Sequence, residues 1–234
     1  MKNIFKFICV FLFLISCNSE KINPNLIFIL VDDLGWNDLG YSGSKFYETP
    51  NIDKLANESF QFINAYSSSP VCSPTRASIM TGKHPARLNI TDWIPGRDPK
   101  DKPLLGPKDL NELPLKEITI AEKLKESGYK TFYVGKWHLG SQGFYPENNG
   151  FDINIGGFEK GKPMGGYYSP YKNPKLIDGP VGEYLTDRLT DETINLIKNH
   201  DKKKQFALFL SFYNVHTPIQ ANMNHVDYFN EKLS

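Results

Sequence analysis

The stretch NLIFILVDD, from Asn25 to Asp33, contains the pattern that decides the fold. Its apolar run, Leu26 to Val31, has no polar residue within it. A continuous apolar run of this length is typical of a strand that is buried on both faces, as in parallel sheets covered by helices. The sequence therefore predicts a buried strand whose carboxyl end carries two adjacent carboxylates.

Helical and strand patterns alternate along the rest of the chain. Asn51 to Ser59 has helical spacing of its apolar residues, and Gln61 to Ala65 is either a short strand or a continuation of that helix. Pro74 favours a helix that runs to about Met80 and closes near Gly82. Further helices are predicted at 119–127, 186–199 and 226–233, further strands at 129–134 and 206–212, and long irregular segments at 91–115 and 140–182.

This alternation predicts an α/β fold with a mostly parallel sheet sandwiched by helices. Such folds place their sites just past the carboxyl ends of strands and at the starts of helices. The residues with reactive or metal-binding side chains in this chain follow predicted strands or begin a predicted helix. We therefore expect them to meet at one edge of the sheet.

The amino terminus has the pattern of an export signal. Residues 1–16 combine early lysines with a short apolar run, which predicts a signal peptide rather than a membrane-spanning helix. Leu14 to Cys17 resembles a bacterial lipobox, so Cys17 is the predicted lipidation site and 17–24 a lipidated tether. An ordinary signal peptide with an incidental cysteine is the alternative. The expected location is a membrane-anchored lipoprotein, exported to the periplasm or the outer membrane.

Composition limits the remaining possibilities. A chain of 234 residues with 27 basic and 26 acidic side chains suits one globular domain. Its only dense basic run, Lys202 to Lys204, reads as a solvated turn, so no nucleic-acid partner is expected. Once Cys9 leaves with the signal and Cys17 carries lipid, Cys72 is a lone thiol in an oxidising compartment. Such a thiol calls for burial, a partner chain or a chemical role.

The pentapeptide CSPTR, Cys72 to Arg76, provides that role. It resembles the signature of the sulfatase family, a formylglycine-dependent branch of the alkaline phosphatase-like superfamily. The resemblance implies that Cys72 is oxidised to formylglycine (3-oxoalanine) by a formylglycine-generating or anaerobic sulfatase-maturating enzyme. It also implies that Arg76 holds the hydroxyl of the hydrated aldehyde. A helix N-terminus suits this chemistry because its free N–H groups attract anions.

Asp32 and Asp33 form the second match. An isolated Asp-Asp pair is more often a turn cap beside a solvated carboxylate. With CSPTR downstream, the resemblance implies instead that both bind Ca²⁺, together with the modified Cys72. Adjacent carboxylates repel each other and coexist most readily around a cation.

Two further motifs complete the resemblance. In GKWHLG, Gly135 to Gly140, alternation along an extended segment predicts that Lys136 and His138 face the same side. By resemblance, Lys136 contacts the sulfate and the nucleophile, and His138 accepts the proton that releases sulfate from the nucleophile. His216, in the sequence VHTP, is implied to bind the sulfate and to protonate the leaving oxygen. The other histidines are predicted to be surface or packing residues, and Trp93 and Arg97 are read as either substrate contacts or packing residues.

Together the motifs predict the N-terminal part of a bacterial lipoprotein sulfatase, with residues 25–234 as an incomplete catalytic domain that lacks later calcium ligands and a second sulfate-binding lysine. The implied activity is that of a sulfuric ester hydrolase acting on a sulfated polysaccharide, an oligosaccharide or an aryl sulfate. Three alternatives stay open: an inactive truncated remnant, a carbohydrate-binding lipoprotein, and a phosphodiesterase or phosphonate hydrolase of the same superfamily.

Overall fold

A computed structural model describes residues 23–96 and 100–233. Its centre is a four-stranded sheet with the strand order β1-β4-β2-β3, and every pair of neighbouring strands is parallel. The strands are β1 (Leu26–Leu30), β2 (Lys130–Gly135), β3 (Ile153–Ile155) and β4 (Phe206–Ser211). This confirms the predicted α/β class with a parallel sheet.

Six α-helices lie in the described part of the chain. They are α1 (Pro50–Asn57), α2 (Cys72–Thr81), α3 (Pro85–Leu88), α4 (Ile120–Glu126), α5 (Leu185–Asn199) and α6 (Met223–Leu233). The helices predicted from periodicity all form, with ends shifted by a few residues. Across the described residues, no helix combines the length and apolar character needed to cross a membrane.

Helices cover both faces of the sheet. Side chains of the central strands alternate between two apolar clusters, because successive residues of a strand point to opposite faces. Tyr133 of β2 and Phe209 of β4 belong to the cluster that contains residues of α2 and α4. Val134 and Leu208 belong to the other cluster, which contains Leu189 of α5. The predicted sandwich is therefore confirmed.

Three details of the predicted architecture are wrong. Strand β1 forms as expected but lies at the edge of the described sheet, and Leu26 to Ile29 are exposed rather than buried. Residues 61–65 form neither strand nor helix, and Phe62 and Ile63 there are largely exposed. The segment 140–182 contains the short strand β3, which three residues of weak alternation did not reveal.

The signal peptide 1–16, the lipidation site Cys17 and Arg97 lie outside the described residues. The tether 17–24 is described only at its last two residues. These predictions are not tested by the fold.

Candidate active site

Helix α2 presents Cys72 as its first residue. Val71, just before it, is extended (φ −129°, ψ 160°), and the helix closes at Gly82, whose φ of 67° suits a glycine. The helix starts two residues earlier than Pro74 had indicated. Cys72 is half-buried, and its Sγ lies 3.2 Å from Nδ1 of His138. The predicted position of the cysteine at a helix N-terminus is therefore confirmed.

Behind Cys72 lies a buried charge cluster formed by Asp32, Arg76 and Lys136. Their side chains are 7%, 4% and 0% exposed. Lys136 Nζ donates a hydrogen bond to Oδ2 of Asp32, and Arg76 Nη2 lies 3.6 Å from the other carboxylate oxygen. The cluster thus holds two basic side chains and one carboxylate. Burial and the neighbouring guanidinium lower the pKa of Lys136, and Asp32 opposes that shift.

Arg76 is fixed by bonds to two strand ends. Its Nη1 donates to the carbonyl oxygen of Lys136 at 2.6 Å and to Oγ of Ser211 at 2.7 Å. Within the described chain, Nε and Nη2 make no hydrogen bond although both are buried. Buried donors are almost always satisfied, so these two point to a ligand with acceptor oxygens.

His138 follows β2 and faces the thiol. Its φ of 60° is left-handed, so the expected extended alternation from Lys136 is wrong here, although both residues contact the α2 side of the site. Nε2 donates to the carbonyl oxygen of Ile94 at 2.6 Å. Burial, and next the charge of Lys136, lower the pKa of His138 to about 4. The imidazole is therefore neutral at pH 7 and able to accept a proton.

His216 reaches the same space from beyond β4. It borders a cavity of about 830 Å³ together with Asp33, Cys72, Trp93 and His138. The hydroxyl of Tyr167 holds this segment, because it lies 2.7 Å from the carbonyl oxygen of Tyr213 and 2.8 Å from that of His216 and donates its one hydrogen between them. The structure thus brings this predicted residue to the opening in front of Cys72, and it lets Trp93 contact a ligand.

A second cavity, of about 370 Å³, is bordered by Asp32, Asp33, Cys72 and Arg76. Asp33 borders both cavities and is exposed, with a φ of 58°. Among residues 23–96 and 100–233, no group of three or more His, Cys, Asp or Glu side chains is placed to hold a metal ion. Carboxylates are the donors that calcium prefers, so Asp32 and Asp33 fit as part of a calcium shell.

Three residues of the site were missed by sequence reasoning. Ser211 ends β4 and holds Arg76, Ser73 is buried beneath Cys72, and Tyr133 donates its hydroxyl hydrogen to the carbonyl oxygen of Lys136. Ser211 could have been found, because it is the polar residue that ends an otherwise apolar strand. Ser73 and Tyr133 carry no comparable signal.

The remaining histidines lie elsewhere. His84 accepts a hydrogen bond from Ala86 N at the start of α3 through Nδ1. His200 packs edge-on against the rings of Phe132 and Phe206. His225 is exposed on α6. None borders either cavity at Cys72.

Comparisons with known proteins agree with this arrangement. The family model "Sulfatase" matches residues 24–232. Arylsulfatase J of Mus musculus is 36% identical over 217 residues, which cover 85% of this chain and 33% of that protein. The curated relatives are thus much longer than the matched part.

Solved structures show the same fold. Ps i-CgsB in complex with k-i-k-neocarrahexaose superposes with a TM-score of 0.71 at 31% identity, covering 89% of this chain and 49% of the other. BT4656 in complex with its substrate D-glucosamine-2-N,6-O-disulfate gives a TM-score of 0.67 at 28% identity, covering 90% and 38%. With a family model that spans nearly all of the described residues, this chain belongs to the sulfatase family.

Proposed function

We propose that the protein is a sulfuric ester hydrolase whose nucleophile is formed from Cys72. The observation that carries the proposal is the buried charge cluster beside the thiol. It holds two basic side chains against one carboxylate, and two guanidinium nitrogens of Arg76, Nε and Nη2, make no hydrogen bond in the described chain. An anionic ester group supplies both the missing negative charge and the acceptor oxygens.

Two groups that are absent from the chain complete the proposed chemistry. Formylglycine at position 72 would supply, as its hydrated aldehyde, an oxygen nucleophile for sulfur, and a calcium ion held partly by Asp32 and Asp33 would polarise the sulfate. Formation of the aldehyde requires a formylglycine-generating or anaerobic sulfatase-maturating enzyme.

The chain's own residues divide the remaining tasks. The N-terminus of α2 directs free N–H groups at the anion, and Arg76 and Lys136 add positive charge behind it. The neutral imidazole of His138, 3.2 Å from the side chain at position 72, accepts a proton there. His216, which borders the same cavity, donates a proton to the leaving oxygen.

A sulfated carbohydrate is the proposed substrate class. The cavity of about 830 Å³ lies in the size range of sites that enclose a small ligand. Trp93 offers an apolar surface for a sugar ring beside Cys72. Ps i-CgsB and BT4656, which share the fold, were each solved with a carbohydrate ligand.

The test compares ester types on protein produced in a host that carries a maturation enzyme. Sulfate release from an aryl sulfate and from sulfated oligosaccharides is measured beside cleavage of a phosphodiester and a phosphonate ester. Mass spectrometry of the Cys72 peptide reports formylglycine, and Cys72→Ala is the inactive reference. Phosphodiester cleavage exceeding sulfate release, or unmodified cysteine with no hydrolysis, would overturn the proposal.

We also propose that Cys17 anchors the protein to a membrane as a lipoprotein. The support is the lipobox-like sequence Leu14 to Cys17. Metabolic labelling with a fatty acid should mark the wild type but not Cys17→Ser, and the variant should leave the membrane fraction. Equal labelling of both would refute the anchor.

A further inference from the structure

A buried hydroxyl in α2 joins the segments that surround His138. Ser73, next to Cys72, is fully buried. Its Oγ donates to the carbonyl oxygen of His138 at 3.0 Å and accepts a hydrogen bond from the N–H of Ile94, also at 3.0 Å. The helix that carries the thiol is thereby connected to the backbone of the imidazole residue and to the loop at Ile94.

The loop at Ile94 determines which imidazole nitrogen carries the hydrogen. The carbonyl oxygen of Ile94 lies 2.6 Å from Nε2 of His138. A carbonyl can only accept, so Nε2 must carry the hydrogen. In the neutral ring, Nδ1 then keeps its lone pair and presents it to the Cys72 side chain at 3.2 Å.

Gly161 lies against the imidazole ring of His138. It borders the larger cavity, and a Cβ built on it would overlap the imidazole atoms Cε1, Nδ1 and Nε2 of His138. The φ of Gly161 is not in the left-handed range, so backbone conformation does not call for a glycine here. A glycine is needed because the imidazole ring occupies the space that a side chain would take. The backbone of Gly161 therefore packs against one face of the imidazole.

We propose that Ser73 and Gly161 are positioning residues that hold His138 in one orientation and one tautomer, with hydrogen on Nε2 and the lone pair of Nδ1 facing position 72. Ser73 acts by holding Ile94 and the His138 backbone in register, and Gly161 acts by leaving room for the ring. The expected effect on kcat rests on the proposed function, whereas the expected tautomer of His138 does not.

The experiment compares Ser73→Ala with Ser78→Ala. Ser78 is a matched control because it lies in the same helix, and its buried hydroxyl has no hydrogen-bond partner in the described residues. Nitrogen-15 NMR of protein with unmodified Cys72 reads which ring nitrogen of His138 carries hydrogen. We expect hydrogen on Nε2 alone in the wild type and in Ser78→Ala, and a mixture of tautomers in Ser73→Ala.

Kinetics on protein containing formylglycine give the second reading. In metal sites, removing the group that orients a ligating imidazole typically costs about 10- to 100-fold in affinity or activity, and we take that as the scale for an imidazole that must be held in one orientation. We expect Ser73→Ala to lose kcat in that range with a smaller change in KM, since its hydroxyl faces the protein rather than the cavity. Ser78→Ala should keep both constants.

Gly161→Ala tests the packing of Gly161 against the imidazole without removing a hydrogen-bonding group. We expect it to displace the ring and to lower kcat to a similar extent, and it decides the matter if Ser73→Ala does not fold. Wild-type tautomer and wild-type kcat in the folded variants would overturn the proposal. If wild-type protein releases no sulfate, the proposed function fails, and the NMR comparison alone decides the positioning.

Discussion

Asparagine in place of Asp32 removes the only carboxylate from the buried charge cluster. The substitution keeps the size of the side chain but leaves Lys136 and Arg76 enclosed without a counter-charge. Methionine in place of Lys136 is the informative partner variant, because it leaves one cation, Arg76, beside one anion. The two variants remove the same Lys136–Asp32 hydrogen bond and differ in the charge that remains.

The structure gives the expected size of each loss. Breaking a buried ion pair from one side typically costs about 3–5 kcal/mol. In Asp32→Asn, the unpaired charge of Lys136 can destabilise the fold by at most about 5 kcal/mol. An ordinary lysine can lose its proton at pH 7 for that free energy. Lys136→Met loses a hydrogen bond to a charged group, about 1.5–3 kcal/mol. We therefore expect Asp32→Asn to be the less stable variant.

Urea unfolding followed by circular dichroism measures both losses, in a chelator so that no bound cation contributes. For a domain of this size, a loss of 3–5 kcal/mol also lowers Tm by about 6–20 °C. The reasoning is refuted if Asp32→Asn unfolds within about 1 kcal/mol of the wild type, or if Lys136→Met is the less stable of the two.

Three further predictions concern the sheet and its surroundings. Phe209→Ala should cost about 3–5 kcal/mol in urea unfolding, because the ring is buried at the centre of the sheet, and a loss below about 1 kcal/mol would contradict that packing. Gly135→Ala should prevent soluble expression, since Gly135 has a φ of 101° and a Cβ there would overlap the carbonyl of Ser211. Normal yield and Tm would show that the strands can separate. Burial has the largest single effect on the pKa of Asp152 and raises it, but the hydrogen bonds from Lys125, the Thr131 backbone and Lys130 together outweigh burial and hold the pKa below its usual range. Its contribution to stability is therefore present above the ordinary aspartate pKa and lost as pH falls through the lower folded value, and Asp152→Asn should flatten that part of the Tm–pH curve.

The sequence predicted the elements whose burial is set locally by periodicity. Strands β2 and β4 and helix α5 appear within a residue or two of their predicted ends, because apolar spacing alone specifies them. The environment of β1 could not be predicted in this way. The same apolar run is compatible with a central or an edge strand, and the strand order that decides between them depends on distant segments.

The candidate site shows the same division. Spacing and resemblance located Cys72, His138 and His216, which the fold brings to one cavity. Ser211 holds Arg76 beside that cavity, whereas Ser73 and the Ile94 carbonyl hold His138, and these partners lie on segments far apart in the chain. Unlike Ser211, a serine within a helix and a backbone carbonyl have no sequence signature. Their roles follow from three-dimensional placement alone.

The pairing of β1 with β4 has a consequence for synthesis. Asp32 follows strand β1 closely. The strand that pairs with β1 in the described sheet, β4, lies 181 positions later in the chain. At about 5–20 residues per second, a ribosome needs about 10–40 s to deliver that partner. During this interval β1 lacks its neighbour in the described sheet, and contacts between such distant segments form slowly. Strand β1 therefore completes its pairing in the described sheet only after β4 has left the ribosome.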